Sequence, residues 1–580
     1  MEQSQQISVS GLFDLLAQLI APPLQNSPIR LPAPAPALPG RPAPPQPSEP
    51  ILEGPLPAPS TPPAPIPETP AAPAPSPGLP APQGSLPQVD GSLPYGTAEL
   101  SEILAPCLTV SPESERLRDC AGLLTSRLAL DGFVSTRVYV FDDPPPARLR
   151  VVEGRIVELR IAGTDATLNQ RVRRWLRPRL GAVLHLPTLE QDLRLLQQRP
   201  EVRSVRSTLS RLGSDPTQAV LQVKVEPAPP RWQGDLTLRN DGTPGSGEGR
   251  ATATLLRSGA LTPGDSLLFY GELDGDGSFD VGQAIGSLSY TLPLGESFNL
   301  TGAFGGNRRT SIELPPPADA LSTTQWQGLG QIEWRFQDTL RQRWSLALAY
   351  SGSRATTWFD GQPLPDSLPA RLREPRNGFL RLELNGSGQQ PGLAWFAQTF
   401  LLQGVAAATP ADQLDELASL DVSPGQATAL GTFGSLVWGF RPRWQLTLRA
   451  GGQLAFRNLT DPMRFSLGSD VGLRGLPGQL ISGDNGWLGS GEVAWTAWSR
   501  RSQALQLVPF LGAGGVFTRF IGLEFRDTVG SAGVLARWLA GEQWTVELGW
   551  VHPFSTAGSE EIWNDWLLGQ GLYARLGFRF

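Results

Sequence analysis

The chain has 580 residues, too many for one ordinary soluble domain, and a net charge of only −6 from 48 Lys and Arg against 54 Asp and Glu. This balance excludes a nucleic-acid-binding protein held by bulk positive charge. Two His, two Cys and two Met leave little material for a metal site, whereas 64 Gly and 17 Trp are typical of a chain with many turns and interfacial aromatic residues. No run of about 20 apolar residues is present, so the sequence predicts no transmembrane helix.

The N-terminal residues 1–20 contain a short apolar run from Ile7 to Ile20. No basic segment precedes this run and Asp14 lies within it, which makes it a poor secretion signal. We therefore favour a short amphipathic helix over a signal peptide. If the protein is exported, its signal lies upstream of Met1 or has a form that the sequence does not reveal.

Residues 21–94 form a separate composition class, in which 27 of 74 residues are proline. Such a segment cannot bury a hydrophobic core, and it favours extended polyproline geometry. At about 3.1 Å per residue, a disordered but semi-rigid linker roughly 200 Å long is expected. A ligand for proline-binding domains is the less favoured alternative.

Residues 95–227 change to a pattern of short helices and strands that predicts two small α+β modules, at 95–154 and 155–227. In the first module, "DCAGLLTSRLALDG" has helical spacing and ends at Gly132. Its periodic leucines are Leu123, Leu124, Leu128 and Leu130. In the second module, "TLEQDLRLLQQRP" predicts a helix, while "IVELRIAG" and "AVLQVKVEP" alternate as strands.

A basic cluster lies in the second module. Its members are Arg171, Arg173, Arg174, Arg177 and Arg179. A solvated helix face commonly carries such a cluster, so this is the default interpretation, and a patch that binds a partner protein is the alternative.

From residue 228 to residue 580, apolar and polar residues alternate with period two. The stretch "EQWTVELGWV" places tryptophan and aliphatic residues on one face and Thr545, Glu547 and Gly549 on the other. Aromatic residues at the ends of the apolar face indicate a transmembrane barrel, apolar outside and polar inside. A soluble β-sandwich also alternates, but it buries its apolar face and does not need about 350 residues in one run.

The last segment, "LYARLGFRF", continues this alternation to Phe578 and Phe580. A final strand with a terminal aromatic residue is a feature of bacterial outer-membrane barrels, so these two residues form a candidate barrel signature. A bilayer admits only helices and closed barrels, because unpaired backbone groups are costly there. With no candidate helix, the sequence predicts a closed barrel.

Four motifs carry a family resemblance. They are "GFVSTRVYV…LRVVEGRIVELRIAG", "TLEQDLRLLQQRPEVRSVRSTL", "RWQGDLTLRNDG" and "FSLGSDVGLRGLPGQLISGDNGWLGSGEVAW". Together they resemble the two-partner secretion transporters, the family that exports filamentous haemagglutinins and haemolysins. The resemblance extends from about residue 100 to the end of the chain.

The resemblance implies a mixed fold. A 16-stranded antiparallel transmembrane β-barrel at 228–580 follows two polypeptide-transport-associated (POTRA) modules, at 95–154 and 155–227. The modules lie in the periplasm. The Pro-rich linker at 21–94 then joins them to a pore-plugging helix at 1–20.

The fourth motif is similar to the long sixth loop of that family, which folds back into the barrel. Its central residues are Leu473, Arg474 and Gly475. A buried arginine needs an anionic or carbonyl partner. The family usually offers an aspartate on a nearby strand, but Gly512 stands there, and Leu476 replaces the usual aromatic residue. We expect a substitute partner for Arg474, either a lumen carboxylate such as Glu492 or backbone carbonyls.

The only two cysteines, Cys107 and Cys120, fall in the first module. The family often pairs cysteines here, and an isolated pair in an exported protein favours a disulfide, with two buried free thiols as the alternative. The short interval between them predicts that the first helix of this module is missing or reduced.

The sequence contains no catalytic constellation. His185 and His552 are remote from any nucleophile, and no Gly-x-Ser-x-Gly elbow occurs. In "DGDGSFD", Phe279 stands where a calcium loop needs glycine, so a hairpin turn is favoured. "GAGG" at 512–515 lacks the Lys-Ser/Thr pair of a nucleotide loop. We expect neither an enzyme nor a bound metal, nucleotide or other cofactor.

The resemblance therefore implies an outer-membrane transporter. It would recognise an unfolded secreted partner, such as an adhesin or haemolysin, through the POTRA modules and translocate it through the barrel to the cell surface. Outer-membrane lipids would surround it, and a monomer is expected. One alternative is an outer-membrane assembly or lipid-handling factor of the same superfamily. Another, a passive porin, does not explain the two α+β modules.

Overall fold

The computed structural model describes residues 52–53 and 86–580, apart from residues 111, 144, 164, 200, 521–522 and 556–562. The predicted helix at 1–20 and most of the predicted linker at 21–94 lie outside the described residues. Two compact units are present, Pro45–Pro229 and a second unit that contains Pro230–Phe580. In the described part of the chain, no helix has the length and apolar character needed to cross a membrane.

The unit Pro45–Pro229 consists of α-helices and short sheets. Its strands are β1 Leu52–Glu53, β2 Val89–Asp90, β3 Arg137–Phe141, β4 Arg148–Val152, β5 Arg155–Ala162, β6 Val202–Leu212 and β7 Asp215–Pro227. Its helices are α1 Thr97–Leu104, α2 Glu113–Leu130, α3 Ala166–Leu176 and α4 Leu186–Gln197.

In the first module, α1 and α2 pack on a sheet of order β2-β4-β3. Leu124 and Leu128 are buried in its core, whereas Leu123 and Leu130, which belong to the same periodic set, are exposed. The helix ends before Gly132, whose positive φ of 96° suits glycine. The first helix, α1, is present but has only 8 residues against 18 in α2.

In the second module, α3 and α4 pack on a sheet of order β1-β6-β7-β5. Asp165 caps α3, because its carboxylate accepts hydrogen bonds from the backbone N–H groups of Thr167 at 2.8 Å and Leu168 at 3.1 Å. Alternate residues of the central strand β7, Leu221 and Val223 among them, point into the core. The alternation predicted for "AVLQVKVEP" therefore has the burial expected of a sheet with one open face.

The unit that contains Pro230–Phe580 is a closed antiparallel barrel of 16 long strands, which confirms the predicted fold class. They are β8 Arg231–Arg239, β9 Gly249–Ser258, β10 Ser266–Gly275, β11 Val281–Leu294, β12 Phe298–Thr310, β13 Leu321–Asp338, β14 Gln342–Phe359, β16 Arg376–Gln390, β17 Leu393–Gly404, β18 Thr428–Arg441, β19 Trp444–Ala455, β22 Asn485–Arg500, β23 Gln503–Phe520, β24 Leu523–Ala540, β25 Trp544–Ser555 and β26 Leu572–Arg579.

The loops of this unit contain smaller elements. They are β15 Gln362–Pro363, the pair β20 Phe465–Leu467 and β21 Ile481–Gly483, and the helices α5 Ala370–Arg373 and α6 Ala411–Ala418. The segment "DGDGSFD" forms the end of β10 and its turn to β11, where the Asp276 carboxylate accepts hydrogen bonds from the N–H groups of Ser278 and Asp280. It is a hairpin turn, as the sequence predicts.

Apolar and polar side chains alternate along the barrel strands, and the apolar ones face outward, as predicted. On β25, Trp544, Leu548 and Trp550 are exposed, and Trp550 reaches 61%. Between them Glu547 points inward and is only 1% exposed. Apolar side chains thus cover the outside of the barrel, and ionic side chains lie within it.

The barrel closes where β26 pairs with β8. This ladder has five residue pairs, from Arg575 opposite Arg239 to Arg579 opposite Asp235, and it is the shortest ladder between two long strands of the barrel. At the far end, the side-chain carbonyl of Asn240 accepts a hydrogen bond from the Ala574 N–H at 2.8 Å. The closure therefore has fewer backbone contacts than any other part of the wall.

Candidate functional site

The connection between β19 and β22, residues 456–484, is the longest loop of the barrel and is called the sixth loop below. Its strands β20 and β21 pair in antiparallel register, from Phe465 opposite Gly483 to Leu467 opposite Ile481. They form a hairpin whose tip contains the motif around Arg474. The contacts of that tip place it inside the barrel.

The tip buries two leucines, Leu473 and Leu476, each 0% exposed. They belong to an apolar cluster with side chains of the last strands and of the connection between β25 and β26. Its other members include Leu467, Leu488, Phe510, Val516, Val551, Trp563, Trp566, Leu568 and Tyr573. Leu476, which replaces an aromatic residue of the related family, therefore still fills an apolar site against the wall.

Two glycines allow the tip to approach the wall. Gly472 and Gly475 have positive φ values of 99° and 79°, which other residues rarely adopt. A Cβ on Gly475 would lie 2.3 Å from Cγ1 of Val551, and a Cβ on Gly472 would lie 2.9 Å from Cδ of Arg449. Both the turn and the close contact therefore require glycine.

Arg474, between these glycines, binds two glutamates on different strands. Its Nη1 donates to Oε2 of Glu547 on β25 at 2.7 Å, and its Nη2 donates to Oε2 of Glu492 on β22 at 3.2 Å. Its backbone carbonyl accepts a hydrogen bond of 2.6 Å from the Ser531 hydroxyl on β24. The side chain is 14% exposed, and its guanidinium lies 5.9 Å from the centre of the Tyr573 ring on β26. One loop residue thus contacts four strands.

Three arginines of the barrel wall share the same two glutamates. Arg449 donates to Glu492 at 2.6 Å. Arg537 donates to Glu547 at 2.6 Å, and Arg575 lies 3.8 Å from Glu547. Arg474, Glu492, Glu547, Arg449, Arg537 and Arg575 are called the Arg474 cluster below. It contains four cations and two anions.

The position of Gly512 explains why the described side chains of β23 offer Arg474 no partner. A Cβ on Gly512 would lie 3.2 Å from Cδ2 of Leu473 and 3.2 Å from Cβ of Ser490. Leu473, rather than the arginine, faces this position, and it leaves little space for a carboxylate. Of the two anionic partners of Arg474, Glu492 is the one that the sequence suggested.

A second ionic cluster holds the opposite side of the tip, and sequence reasoning missed it. Arg250 on β9 has a side chain that is 0% exposed. Its Nη1 donates to Asp470 of the sixth loop at 2.6 Å, and its Nε donates to Asp274 on β10 at 3.1 Å. Glu272 on β10 lies 3.5 Å away. These four residues are called the Arg250 cluster below. It contains one cation and three anions.

The sixth loop therefore contacts both sides of the barrel closure. The Arg474 cluster lies on β19, β22, β24, β25 and β26, and the Arg250 cluster lies on β9 and β10. A backbone hydrogen bond of 2.9 Å from the Gly478 N–H to the Gly242 carbonyl joins the loop to the connection after β8. In this position the tip of the loop lies inside the barrel against these strands.

The other residues singled out by the sequence lie elsewhere. Cys107 and Cys120 are joined by a disulfide with a Cα–Cα distance of 5.3 Å, which connects the segment after α1 to α2. Phe578 packs against Trp544 with ring centres 4.5 Å apart, and Phe580 exchanges two backbone hydrogen bonds of 3.0 Å with Gly234. The two phenylalanines thus belong to the final strand and the closure.

The basic cluster of the second module follows α3 and the turn after it. Arg171 lies 3.9 Å from Glu201, and Arg179 donates to Asp192 at 2.5 Å. The remaining three are exposed and have no ionic partner among the described residues: Arg173, Arg174 and Arg177. Across the described ranges, no group of three His, Cys, Asp or Glu side chains is arranged to hold a metal ion.

Comparisons with known proteins agree with this architecture. A family model described as haemolysin secretion/activation protein ShlB/FhaC/HecB matches residues 218–519, which is more than half of the chain. CdiB from Escherichia coli has a similar structure, with a TM-score of 0.62, 16% identity, and coverage of 87% of this chain and 93% of that chain. CdiB from Acinetobacter baumannii is similar with a TM-score of 0.58 and 13% identity, and the match covers 86% of this chain and 90% of that chain. At these identities the likeness concerns the fold. No protein of curated function matches the chain.

Proposed function

Because this chain belongs to the haemolysin secretion/activation protein family ShlB/FhaC/HecB, an outer-membrane transporter family, we propose that it exports one large secreted protein through its barrel. The partner would arrive unfolded in the periplasm, bind the two α+β modules and leave through the lumen to the cell surface. The family is one of transporters rather than enzymes. The observation that supports this proposal most directly is the position of the sixth loop, whose tip lies inside the barrel and is held there by ionic contacts.

Recognition of an unfolded partner has a structural basis in the first module. In the described residues, β3 pairs only with β4, so no strand covers its outer edge. The Val138 N–H donates to the Thr125 hydroxyl of α2 at 3.0 Å, and an added strand would have to replace this hydrogen bond. An extended segment can add to such an edge through backbone hydrogen bonds, which tolerate varied side chains. This mode suits a transporter that must bind a long and variable chain before it folds.

The second module offers a complementary contact. Arg173, Arg174 and Arg177 form an exposed cationic surface on and after α3. We propose that this surface attracts acidic stretches of the partner, which would raise the rate of encounter rather than provide most of the affinity. Its effect would decrease as the salt concentration rises.

Conduction requires movement of the sixth loop. Arg474 must leave Glu492 and Glu547 before an extended chain can pass through the space that the tip occupies. No nucleotide site supplies energy in our proposal, so outward movement would be driven by folding of the partner outside the cell. The modules would keep the partner unfolded until that point.

The test begins with deletion of the gene and a comparison of the secreted proteins. We expect the loss of one large exoprotein. A photo-crosslinking residue is then placed at Gln445, on the lumen face of β19, or at its neighbour Leu446, on the lipid face. A translocation-arrested exoprotein should crosslink at position 445 and not at position 446.

Two outcomes would contradict the proposal. A general loss of outer-membrane barrels on deletion would indicate an assembly factor instead. Equal crosslinking at positions 445 and 446, or crosslinking at 446 alone, would exclude a route through the lumen. A crosslinker at Tyr139 on β3, compared with one at exposed Leu130 on α2, tests recognition at the strand edge independently of the route.

A further inference from the structure

The short-turn end of the barrel carries its charge unevenly. Outer-membrane barrels have short turns on the periplasmic side, so this end faces the periplasmic leaflet. Arg441 ends β18 and Arg443 lies in the turn between β18 and β19, while Arg500 precedes the turn between β22 and β23. The two turns are neighbours, because β19 pairs with β22 and the Thr496 N–H donates to the Arg443 carbonyl at 2.9 Å.

These three arginines are exposed, and none has an acidic partner among the described residues. Arg501 follows Arg500 as the first residue of the turn. Other charges on this end include an ionic pair: Arg343, beside the turn between β13 and β14, donates to Asp338 at 3.1 Å. Two neighbouring turns, in the sector from β18 to β23, thus carry four arginines.

An aromatic surface lies directly beside these arginines on the outside of the barrel. Trp438 and Phe440 have ring centres 5.4 Å apart, Phe440 and Trp444 are 6.3 Å apart, and Trp444 and Trp495 are 5.9 Å apart and stacked. All four rings are exposed, on the face that carries the apolar residues of β19. Aromatic residues at this depth occupy the level of the lipid headgroups.

We propose that this sector binds the headgroup of an anionic phospholipid in the periplasmic leaflet. The guanidinium groups of Arg441, Arg443 and Arg500 would bind the phosphate oxygens, which they can do in a bidentate manner, and the four rings would pack along the glycerol backbone and the first acyl carbons. Basic sites next to membrane-spanning segments bind multiply charged headgroups in this way.

A lipid fits this surface better than an acidic soluble protein. The arginines end or join the strands β18, β19 and β22 that carry the rings, and the rings face the bilayer, where a soluble partner cannot cover them. The positive charge alone would suit either partner. The adjoining lipid-facing tryptophans favour the lipid.

The test uses native mass spectrometry of the full-length protein, purified in detergent and mixed with phosphatidylglycerol or phosphatidylcholine of the same chain length. We expect the wild type to retain phosphatidylglycerol in preference to phosphatidylcholine. The triple variant Arg441→Gln, Arg443→Gln, Arg500→Gln should retain at least five-fold less phosphatidylglycerol than the wild type. Inorganic phosphate at millimolar concentration should not displace the lipid if the rings contribute to binding.

The matched control is Arg354→Gln, Arg519→Gln, Arg526→Gln, which removes the same charge from the long-loop end, where these arginines are paired with Glu374 and Glu524. It should retain phosphatidylglycerol as the wild type does. Heat-modifiable gel migration verifies that each variant is folded. Equal retention by the two triple variants, displacement by phosphate alone, or a wild type without preference for phosphatidylglycerol would overturn the proposal.

Discussion

The Arg474 cluster and the Arg250 cluster both hold the tip of the sixth loop, but their charges are balanced in opposite ways. In the Arg474 cluster the loop adds a fourth cation to a wall that already has three cations and two anions. In the Arg250 cluster the loop adds a third anion to a wall that has one cation and two anions. In each cluster, the charge that the loop contributes therefore has the same sign as the excess charge of the wall residues.

This difference separates the residues that stabilise the wall from those that hold the loop. When Arg474 withdraws, Glu492 and Glu547 keep their wall arginines. When Asp470 withdraws, Arg250 keeps Asp274 and Glu272. A buried charge left without a partner is costly, but here the departure of the loop leaves none. The loop can thus be held firmly and still be released without destabilising the barrel.

The largest effect is expected from Arg250→Ala. It leaves the carboxylates of Glu272, Asp274 and Asp470 close together in the interior without their cation. Removal of one partner from a buried ionic group costs about 3–5 kcal/mol, so the free energy of unfolding should fall by that order or the barrel should fail to assemble. Urea unfolding in detergent, followed by gel migration, measures it. Exposed Arg354→Ala is the control, and an equal loss in both variants would contradict our interpretation.

A smaller loss of stability is expected from Glu547→Gln. The amide keeps the shape of the side chain but removes the charge opposite Arg474, Arg537 and Arg575, while Glu492 still serves two of these arginines. We expect the free energy of unfolding to fall by about 1–3 kcal/mol. The same urea titration measures it, with Glu524→Gln on the exposed hairpin as the control. Unchanged stability would mean that the wall does not depend on this carboxylate.

Arg474→Ala should change the free energy of unfolding by only about 1 kcal/mol, because both glutamates keep wall partners. Its main effect should be functional, because the tip is less firmly held. The conductance of the pore in planar bilayers should rise, and secretion of the partner protein should stop or no longer be regulated. A variant as unstable as Arg250→Ala would refute the separation of wall and loop. Arg474→Lys tests whether the charge alone holds the tip, since lysine cannot bind both glutamates in a fixed fork.

Asp470→Asn should have the smallest effect on its own, since Arg250 keeps two wall carboxylates and the asparagine still accepts a hydrogen bond. The informative experiment combines Asp470→Asn with Arg474→Ala in one double variant. If the two clusters hold one loop, the conductance of the double variant should exceed the sum of the two single increases. Additive increases would show that each cluster acts on a separate segment.

The fold was predictable because alternation is a local property. Each strand needs only its own residues to place Trp550 outside and Glu547 inside, and the motifs supplied the number of strands. The burial of Arg474 was predictable as well, because an arginine among glycines and apolar residues needs a partner wherever it is buried. Glu492 follows 18 residues later, close enough for the loop geometry to suggest it.

The rest of the site depends on closure of the barrel. Glu547 could be placed on the lumen face, but its contact with Arg474 joins residues 73 apart. Arg250 also lies on a polar face, in "GRATATLLRS", yet Asp470 is 220 residues further along the chain. Which inward-facing charges meet across the lumen is set by the register and curvature of the closed wall, and one strand considered alone carries no information on either.

The short ladder between β26 and β8 has a consequence for biogenesis. Asn240 and Ala574, which are hydrogen-bonded at the closure, are 334 residues apart. One edge of the first strand therefore stays unpaired until the last strand has been synthesised and exported. An exposed edge of that kind invites pairing with other chains. The time spent waiting, rather than the stability of the finished barrel, should therefore limit the yield of folded protein, and a periplasmic holding chaperone should raise that yield.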